Sequence, residues 1–354
     1  PIFEATTNHK YDTTDYFEID RHFGDKEVFH NLVVEAHKRG IKIILDALIN
    51  HIGYQSAQWQ DVLKNGENSP YKDWFHIQEF PVTEDKLQNP RQLPYHTFAF
   101  ASYMPKLNTA NPEVRDYLLS VATYWIENFD IDAWRLDVAN EIDHQFWRDF
   151  RKAVLAKKPD LYILGEIWHT SQTWLQGDEF HAVMNYPLSE SIKDYFLRQR
   201  KKTEQFISEI NSQSMYYKQQ ISEVMFNLLD SHDTERILTT AKGNVQHVKA
   251  ALTFLYLQKG TPCIYYGTEL ALIGGPDPDC RRVMPWDRVS EENDMLNFMK
   301  QLIQVRKEVA SMIQHGNYRL EEVKPDVLAL KWSYEWKEVQ AIFNQSSENF
   351  ILER

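Results

Sequence analysis

Along this chain, segments whose apolar residues recur at helical spacing alternate with short apolar runs that are typical of strands. After the N-cap residue Asp25, apolar side chains recur at helical spacing until Gly40, which predicts a helix. The β-branched run at 41–48 then predicts a buried parallel strand. Before this helix, residues 1–5 predict the end of a strand and residues 8–16 a polar loop.

The same alternation continues to about residue 315. Asn111 followed by Pro112 predicts the start of a helix, because proline is favoured at the first helical position. Further helices are predicted at 143–156, 245–255 and 291–313, and further strands at 132–141, 161–168, 182–186, 224–230 and 263–266. After Gly316 the pattern changes to short strands at 327–332 and 339–343, which predicts an antiparallel sheet.

Between residues 52 and 110 neither period is sustained. So long an irregular stretch within a compact domain is usually functional, and we interpret it as an inserted subdomain. The predicted organisation is therefore a catalytic domain in two parts, 1–51 and 111–315, separated by the subdomain at 52–110. The start of a C-terminal β-domain is predicted at 316–354.

Parallel strands joined by helices fit either a closed barrel or a doubly wound sheet. Polar residues distinguish the two. Asp46, Asp137, Glu166 and Asp233 lie at or near the C-terminal ends of four predicted strands, where a (β/α)8 barrel gathers its active site. An open sheet would spread these residues along its edge. We therefore predict an α/β fold, a TIM barrel that lacks its first strands in this chain.

The amino-acid composition and net charge indicate which kinds of molecule this protein is expected to bind. The 354 residues carry a net charge of −12 with acidic and basic residues interspersed, which argues against a nucleic-acid or membrane-surface protein. Abundant Trp and Tyr residues weakly favour a carbohydrate ligand. Cys263 and Cys280 cannot form a disulfide framework, and the sequence contains no signal peptide. The chain begins without Met, so we expect that the natural N-terminus is missing, and we expect a cytoplasmic protein.

Arg135 and Asp137 share one face of a predicted strand, because side chains two residues apart point the same way. Burying such a pair is costly unless the two residues serve each other or a ligand, and a structural ion pair is the alternative interpretation. The cation would keep Asp137 ionised, while apolar neighbours would raise the pKa of Glu166. One ionised and one protonated carboxyl are what retaining glycoside hydrolysis requires.

Four motifs in order resemble the signature regions of the α-amylase superfamily of glycoside hydrolases. They are Asp46-Ala-Leu-Ile-Asn-His51, Trp134-Arg-Leu-Asp137, Gly165-Glu-Ile-Trp168 and Ser231-His-Asp233. Residues 8–13, 104–108, 138–141 and 276–282 are similar to the neopullulanase, cyclomaltodextrinase and maltogenic amylase subgroup in particular. Ala133 departs from the family, which usually has glycine at this position.

The resemblance implies roles for ten residues. Asp137 would be the nucleophile, Glu166 the general acid/base, and Asp233 a third carboxylate that binds sugar hydroxyls. The implied substrate-binding residues are Arg135, which orients Asp137, His51 and His232, which donate to the sugar, Tyr11, which stacks on it, and Trp168, Asn140 and Glu141 on the leaving-group side. For Trp168 core packing is equally compatible, and for each histidine the alternative is a structural side chain.

The resemblance further implies hydrolysis of α-1,4 bonds in cyclodextrins, pullulan, maltooligosaccharides or starch. The alternatives are an α-glucosidase or oligo-1,6-glucosidase, a fragment made inactive by its incomplete barrel, and a non-catalytic carbohydrate-binding relative, which the complete carboxylate triad disfavours. No cofactor is expected for the chemistry. The resemblance also implies an N-terminal domain, which we expect to be missing from this chain. The subgroup uses that domain for dimerisation, and it often carries a structural calcium. Asn50 matches a calcium-ligand position in other amylases, but we assign no metal ligand.

Overall fold

The computed structural model describes residues 1–82, 93–346 and 348–350. The chain forms two compact units, Pro1–Ile167 with Thr173–Val183, and Trp168–Gln172 with Met184–Arg354. Residues 83–92 of the predicted inserted subdomain, and residues 347 and 351–354 of the predicted β-domain, lie outside the described residues. The domain boundaries given above therefore stay predictions.

The first unit contains most of the predicted strand and helix pairs. Its strands are β1 (Phe3–Ala5), β2 (Thr13–Ile19), β3 (Ile44–Ala47), β4 (Ala133–Leu136), β5 (Tyr162–Gly165) and β6 (Ala182–Val183), and its helices are α1 (Lys26–Lys38), α2 (Ala57–Asn65), α3 (Pro112–Phe129) and α4 (His144–Lys157). Asp25, Asn111 and Asp143 accept hydrogen bonds from backbone N–H groups in the first turns of α1, α3 and α4. These caps satisfy donors that a helix leaves unpaired, so the three predicted helix starts are confirmed.

A parallel sheet in the order β3-β4-β5-β6 carries the predicted carboxylates. Its register pairs Asp46 of β3 with Arg135 of β4, which explains how two residues far apart in sequence come into contact. Asp137 and Glu166 directly follow β4 and β5. Their side chains therefore start from the carboxyl edge of the sheet, as the strand pattern predicts.

The second unit combines a short parallel pair of strands with an antiparallel sheet. Its elements are α5 (Tyr186–Ile192), α6 (Thr203–Ser214), α7 (Gln219–Ser222), β7 (Phe226–Asn227), α8 (Ile237–Thr240), α9 (Val245–Tyr256), β8 (Thr261–Pro262), α10 (Asp294–Glu308), α11 (Ala310–His315), β9 (Asn317–Lys324), β10 (Val327–Tyr334) and β11 (Lys337–Asn344). Strand β7 pairs with β8 in parallel, and β10 lies between β9 and β11 in the antiparallel sheet predicted after Gly316. One hydrophobic core joins α9 to the inner face of β10, where Leu328, Leu330 and Trp332 are buried.

Several strands end earlier than predicted. The predicted strand at 132–141 ends at Leu136, and Ala139–Glu141 form a 3-10 turn. Between them Val138 has a left-handed backbone (φ +47°), which cannot continue a strand. The apolar run at 263–266 was predicted to be a strand, but β8 ends at Pro262. An apolar run therefore does not fix where a strand stops, and at 263–266 it does not mark buried chain either, since Cys263 is only partly buried and Tyr266 is 39% exposed.

Two other predictions are wrong. The polar loop predicted at 8–16 contains the start of β2, which pairs antiparallel with β1 and buries Thr13, Tyr16 and Ile19. Polar residues conceal this strand, because only every third side chain faces the core. The helix predicted at 291–313 is divided at Val309 into α10 and α11. Within residues 1–82, 93–346 and 348–350, none of the helices has both the length and the apolar character needed to cross a membrane.

Candidate active site

The guanidinium of Arg135 lies among three carboxylates of the first unit. Its Nη1 donates hydrogen bonds to Oδ1 of Asp137 at 2.6 Å and to Oδ1 of Asp46 at 2.9 Å. Its Nη2 lies 2.8 Å from Oε1 of Glu166. The four side chains are between 6% and 15% exposed, so their charges interact with little screening by water. Three of the residues predicted from the sequence, Arg135, Asp137 and Glu166, are thus brought together.

The ionisation of Asp137 differs from the prediction. Burial raises the pKa of this carboxyl, the negative charges of Asp46 and Glu166 raise it further, and Arg135 lowers it by less than these effects. The pKa of Asp137 therefore lies well above its usual range, and the expectation that Arg135 keeps this carboxyl ionised is wrong. The single positive charge of Arg135 cannot neutralise three ionised carboxylates.

Asp46 has the opposite shift. Its burial opposes ionisation, but the charge of Arg135 and hydrogen bonds from Arg135 and Tyr11 outweigh burial and lower the pKa of Asp46. The Tyr11 hydroxyl donates to Oδ2 of Asp46 at 2.8 Å. Tyr11, predicted to stack on a sugar, is therefore linked to the carboxylate cluster through its hydroxyl group.

Glu166 does not have the purely apolar environment that the sequence predicts. Its Oε1 faces Arg135, and its Oε2 accepts a hydrogen bond from the backbone N–H of Val138 at 3.0 Å. A left-handed backbone is unfavourable for a β-branched residue, so Val138 is strained at the position where its N–H reaches Glu166. The residue before Glu166, Gly165, has no room for a side chain unless Phe180 shifts, because a Cβ at this position would lie 2.6 Å from the Phe180 ring.

The His51 ring is buried and forms a hydrogen bond with a backbone carbonyl group. It is 1% exposed, and its Nε2 lies 2.8 Å from the carbonyl oxygen of Tyr11, which can only accept, so Nε2 carries the proton. Burial lowers the pKa of His51 to about 4, so the ring is neutral at pH 7. Its predicted role as a donor to the sugar stays a prediction. The observed contact instead fixes the loop that carries Tyr11.

Glu141 and Asn140 lie in the 3-10 turn that follows β4, and both are exposed. Lys106 joins this turn to Asn50, since its ammonium lies 3.3 Å from Oε2 of Glu141, donates to the Glu141 carbonyl, and donates to Oδ1 of Asn50. The Asn50 oxygen that would bind calcium is therefore occupied by an ammonium group, and the residues here do not fit a metal ion. In the described part of the chain no group of three or more His, Cys, Asp or Glu residues could hold one.

Asp233 and His232 belong to the second unit. Nε2 of His232 lies 3.0 Å from Oδ2 of Asp233, and Nη2 of Arg281 lies 3.4 Å from Oδ1. The His232 ring and the Arg281 guanidinium each contact one oxygen of the Asp233 carboxylate, which restricts the orientation of that carboxylate. In the same unit Trp168 stacks on Tyr186 with ring centroids 3.9 Å apart and planes 8° from parallel, and it is 47% exposed. One face of this indole is packed, so the two interpretations offered for Trp168 are both compatible with its position.

Three charged residues of these clusters receive no role from the sequence alone, although Asp46 is one of the four carboxylates predicted at the strand ends. Asp46 and Lys106 lie within motifs that carry the family resemblance, as does Arg281, in the stretch at 276–282. Each is charged and sits beside apolar or proline-rich sequence, which is the signal that could have identified them. Their contacts connect segments between 35 and 89 residues apart, a separation that periodicity does not report.

Comparison with known proteins gives a consistent result. Residues 1–310 match the α-amylase family in its catalytic domain. The chain is 52% identical over 349 residues to an intracellular maltogenic amylase of Bacillus subtilis, covering 98% of this chain and 58% of that protein. It is 54% identical over 312 residues to a cyclomaltodextrinase of Geobacillus thermopakistaniensis, covering 88% of this chain and 52% of that protein.

A solved structure gives the same answer for the fold. A cyclomaltodextrinase superposes with a TM-score of 0.92 at 47% identity, covering 97% of this chain and 58% of that one. The predicted fold class and the predicted resemblance to the maltogenic amylase and cyclomaltodextrinase group are thereby confirmed. The chain spans little more than half the length of these relatives. On the matched catalytic domain and the high identity over nearly the whole sequence, this chain belongs to the α-amylase family.

Proposed function

We propose that this chain carries the catalytic residues of a retaining glycoside hydrolase. Its substrates would be cyclodextrins, pullulan, maltooligosaccharides or starch, cleaved at α-1,4-glucosidic bonds. The observation that supports this most is the contact of one buried guanidinium with the carboxylates of both Asp137 and Glu166. Retaining hydrolysis requires two carboxyls roughly 5 Å apart, one protonated and one ionised.

The proposed reaction has two steps. Glu166 gives its proton to the leaving glycosidic oxygen while a carboxylate oxygen of Asp137 attacks the anomeric carbon, forming a covalent glycosyl-enzyme. Glu166, now ionised, then takes a proton from water as that water displaces Asp137. Asp233 would bind hydroxyls of the distorted sugar ring, with His232 and Arg281 fixing its carboxylate.

The proposed reaction needs one proton within the carboxylate cluster. Three acids share Arg135, and the raised pKa of Asp137 keeps one proton within the site. Attack on the anomeric carbon needs an ionised Asp137, and departure of the glycosidic oxygen needs a proton on Glu166, so the reactive form must hold the proton on Glu166. The hydrogen bond from Val138 N–H to Oε2 leaves Oε1 as the Glu166 oxygen beside Arg135.

The stereochemical outcome tests the mechanism. Proton NMR of the first product formed from a maltooligosaccharide should show the α-anomer, since two displacements retain the configuration. The β-anomer as first product would contradict the role of Asp137 as nucleophile.

The substrate preference needs a separate experiment. We expect hydrolysis of γ-cyclodextrin, pullulan and soluble starch at rates well above that of isomaltose. Rapid isomaltose cleavage with no action on γ-cyclodextrin would favour the alternative, an α-glucosidase or oligo-1,6-glucosidase. The names of the maltogenic amylase and cyclomaltodextrinase relatives support the first outcome.

Location and assembly are also proposals. A cytoplasmic protein is supported by the description of the Bacillus subtilis relative as intracellular. A homodimer of the full-length protein rests on the subgroup resemblance, and size-exclusion chromatography with light scattering would test it.

A further inference from the structure

A cavity of about 390 Å³ opens in the second unit beside the amino ends of β7 and β8. Met225 and Lys259 line it and come just before these two strands, whereas Asp233 follows the carboxyl end of β7. The other walls come from α5, α6, the segment after α6, and strands β9 and β10. Its volume lies within the usual range of small-ligand sites, roughly 300–1,000 Å³.

One polar atom in the wall is buried without a partner. Oε1 of Gln213 has no hydrogen-bond donor among the described residues. Its Nε2 donates to Oγ of Ser191 at 2.8 Å, and that oxygen itself donates to the carbonyl of Pro187, so it can only accept from Gln213. These contacts orient the amide. An unpaired buried acceptor is unfavourable, and a small shift of the Gln213 side chain towards the cavity would let an O–H donor from a bound molecule satisfy it.

The rest of the wall combines aromatic rings with amides. Tyr216 is 38% exposed, and the rings of Tyr318 and Trp332 lie 4.8 Å apart, with the Tyr318 hydroxyl donating to Oε1 of Gln258 at 3.0 Å. Lys259 is the one charged residue among the described residues that line the cavity, and its ammonium lies 6.0 Å from the centroid of the Trp332 ring. Such a wall suits a neutral molecule that has hydroxyl donors and an apolar C–H face.

We propose that this cavity is a second saccharide site, which binds one or two glucose units of an α-glucan. A pyranose ring supplies both requirements, since its hydroxyls would donate to Gln213 and its C–H face would pack against Tyr216. None of the residues assigned to the reaction lines the cavity. The choice of an α-glucan over another neutral saccharide rests on the proposed function.

Calorimetric titration with maltotriose tests this proposal. The full-length protein carrying Glu166→Gln is used so that the ligand is not hydrolysed. We expect the Glu166→Gln protein to bind one more molecule of maltotriose than the double variant that carries both Glu166→Gln and Tyr216→Ala. Gln213→Leu, which removes the acceptor, should weaken the same binding step by about tenfold or more. Hydrogen exchange should show protection by maltotriose within residues 210–222.

Two variants serve as controls. Trp336→Ala removes an aromatic side chain that is 84% exposed outside the cavity, and Gln220→Ala removes an exposed amide beside it; neither should change the number of bound maltotriose molecules. Equal stoichiometry with and without Tyr216, or no protection at 210–222, would overturn the proposal. With Glu166 intact, Tyr216→Ala should hydrolyse a short maltoside at an unchanged rate. Absence of hydrolysis in both proteins would instead contradict the proposed function.

Discussion

Nη1 of Arg135 donates a 2.6 Å hydrogen bond to Oδ1 of Asp137, two residues further along the same chain. The same guanidinium contacts Asp46 on the neighbouring strand and Glu166 at the end of the next. A single cation therefore organises side chains from three adjacent strands. Its removal would leave buried carboxylates uncompensated, which is the costly case for a buried ion cluster.

Arg135→Lys keeps the charge but not the two-pronged geometry. An ammonium is a compact point charge and cannot reach three carboxylates with the fixed fork of a guanidinium. We expect kcat to fall by about 100-fold and the free energy of unfolding to fall by roughly 2–4 kcal/mol. Kinetics on maltotriose and urea unfolding would measure these changes. Arg39→Lys, at a site 63% exposed, should alter neither, and an equally active Arg135→Lys protein would show that the fork is dispensable.

Asp137→Asn should remove the nucleophile while preserving its shape. We expect turnover to fall by about four decades, each worth about 1.4 kcal/mol of barrier. The control is Asp116→Asn. The Asp116 side chain is 74% exposed, so this variant should keep its activity. A near-normal rate for Asp137→Asn would remove the assignment.

The same substitution should stabilise the fold in a pH-dependent way. Because the pKa of Asp137 is raised in the folded state, that state binds more protons than the unfolded state above about pH 4. Stability from this group is full at low pH and is lost as pH rises towards the raised pKa. Asp137→Asn avoids this loss, so its advantage over the parent in urea unfolding should grow from pH 5 to pH 7. A constant difference would show that Asp137 ionises normally.

Glu166→Gln separates acid catalysis from nucleophilic attack. Without a proton donor, cleavage of maltotriose should slow by about 1,000-fold, within the usual contribution of general acid catalysis. Maltosyl fluoride needs little help from an acid, so its rate should fall far less. Rates measured side by side on the two substrates would show this. Equal losses on both would mean that Glu166 acts on binding or structure instead.

Local pattern and tertiary contact contributed differently to these results. Strand period alone predicts that Arg135 and Asp137 share a face and that Asp137 and Glu166 lie near strand ends. It does not reveal that Asp46 is the register partner of Arg135, and the negative charge of Asp46 contributes to the raised pKa of Asp137. Burial, the largest contribution, is likewise a property of the folded chain. A prediction based on the nearest charge in sequence therefore had the wrong sign.

For His51 the pKa is defined in both the unfolded and the folded state, so the pH range of its effect on stability can be predicted. Burial lowers its pKa from 6.5 to about 4, so the folded state binds fewer protons than the unfolded state between these values. Stability from the neutral ring is fully present above pH 6.5 and is lost as pH falls towards 4, by up to about 3 kcal/mol. His51→Asn should lose this part of the acid sensitivity in urea unfolding at pH 4.5, 5.5 and 7, whereas replacement of the exposed His30 by Asn should not. If His51→Asn kept the full acid dependence of the parent, the lowered pKa of His51 would not contribute to acid unfolding.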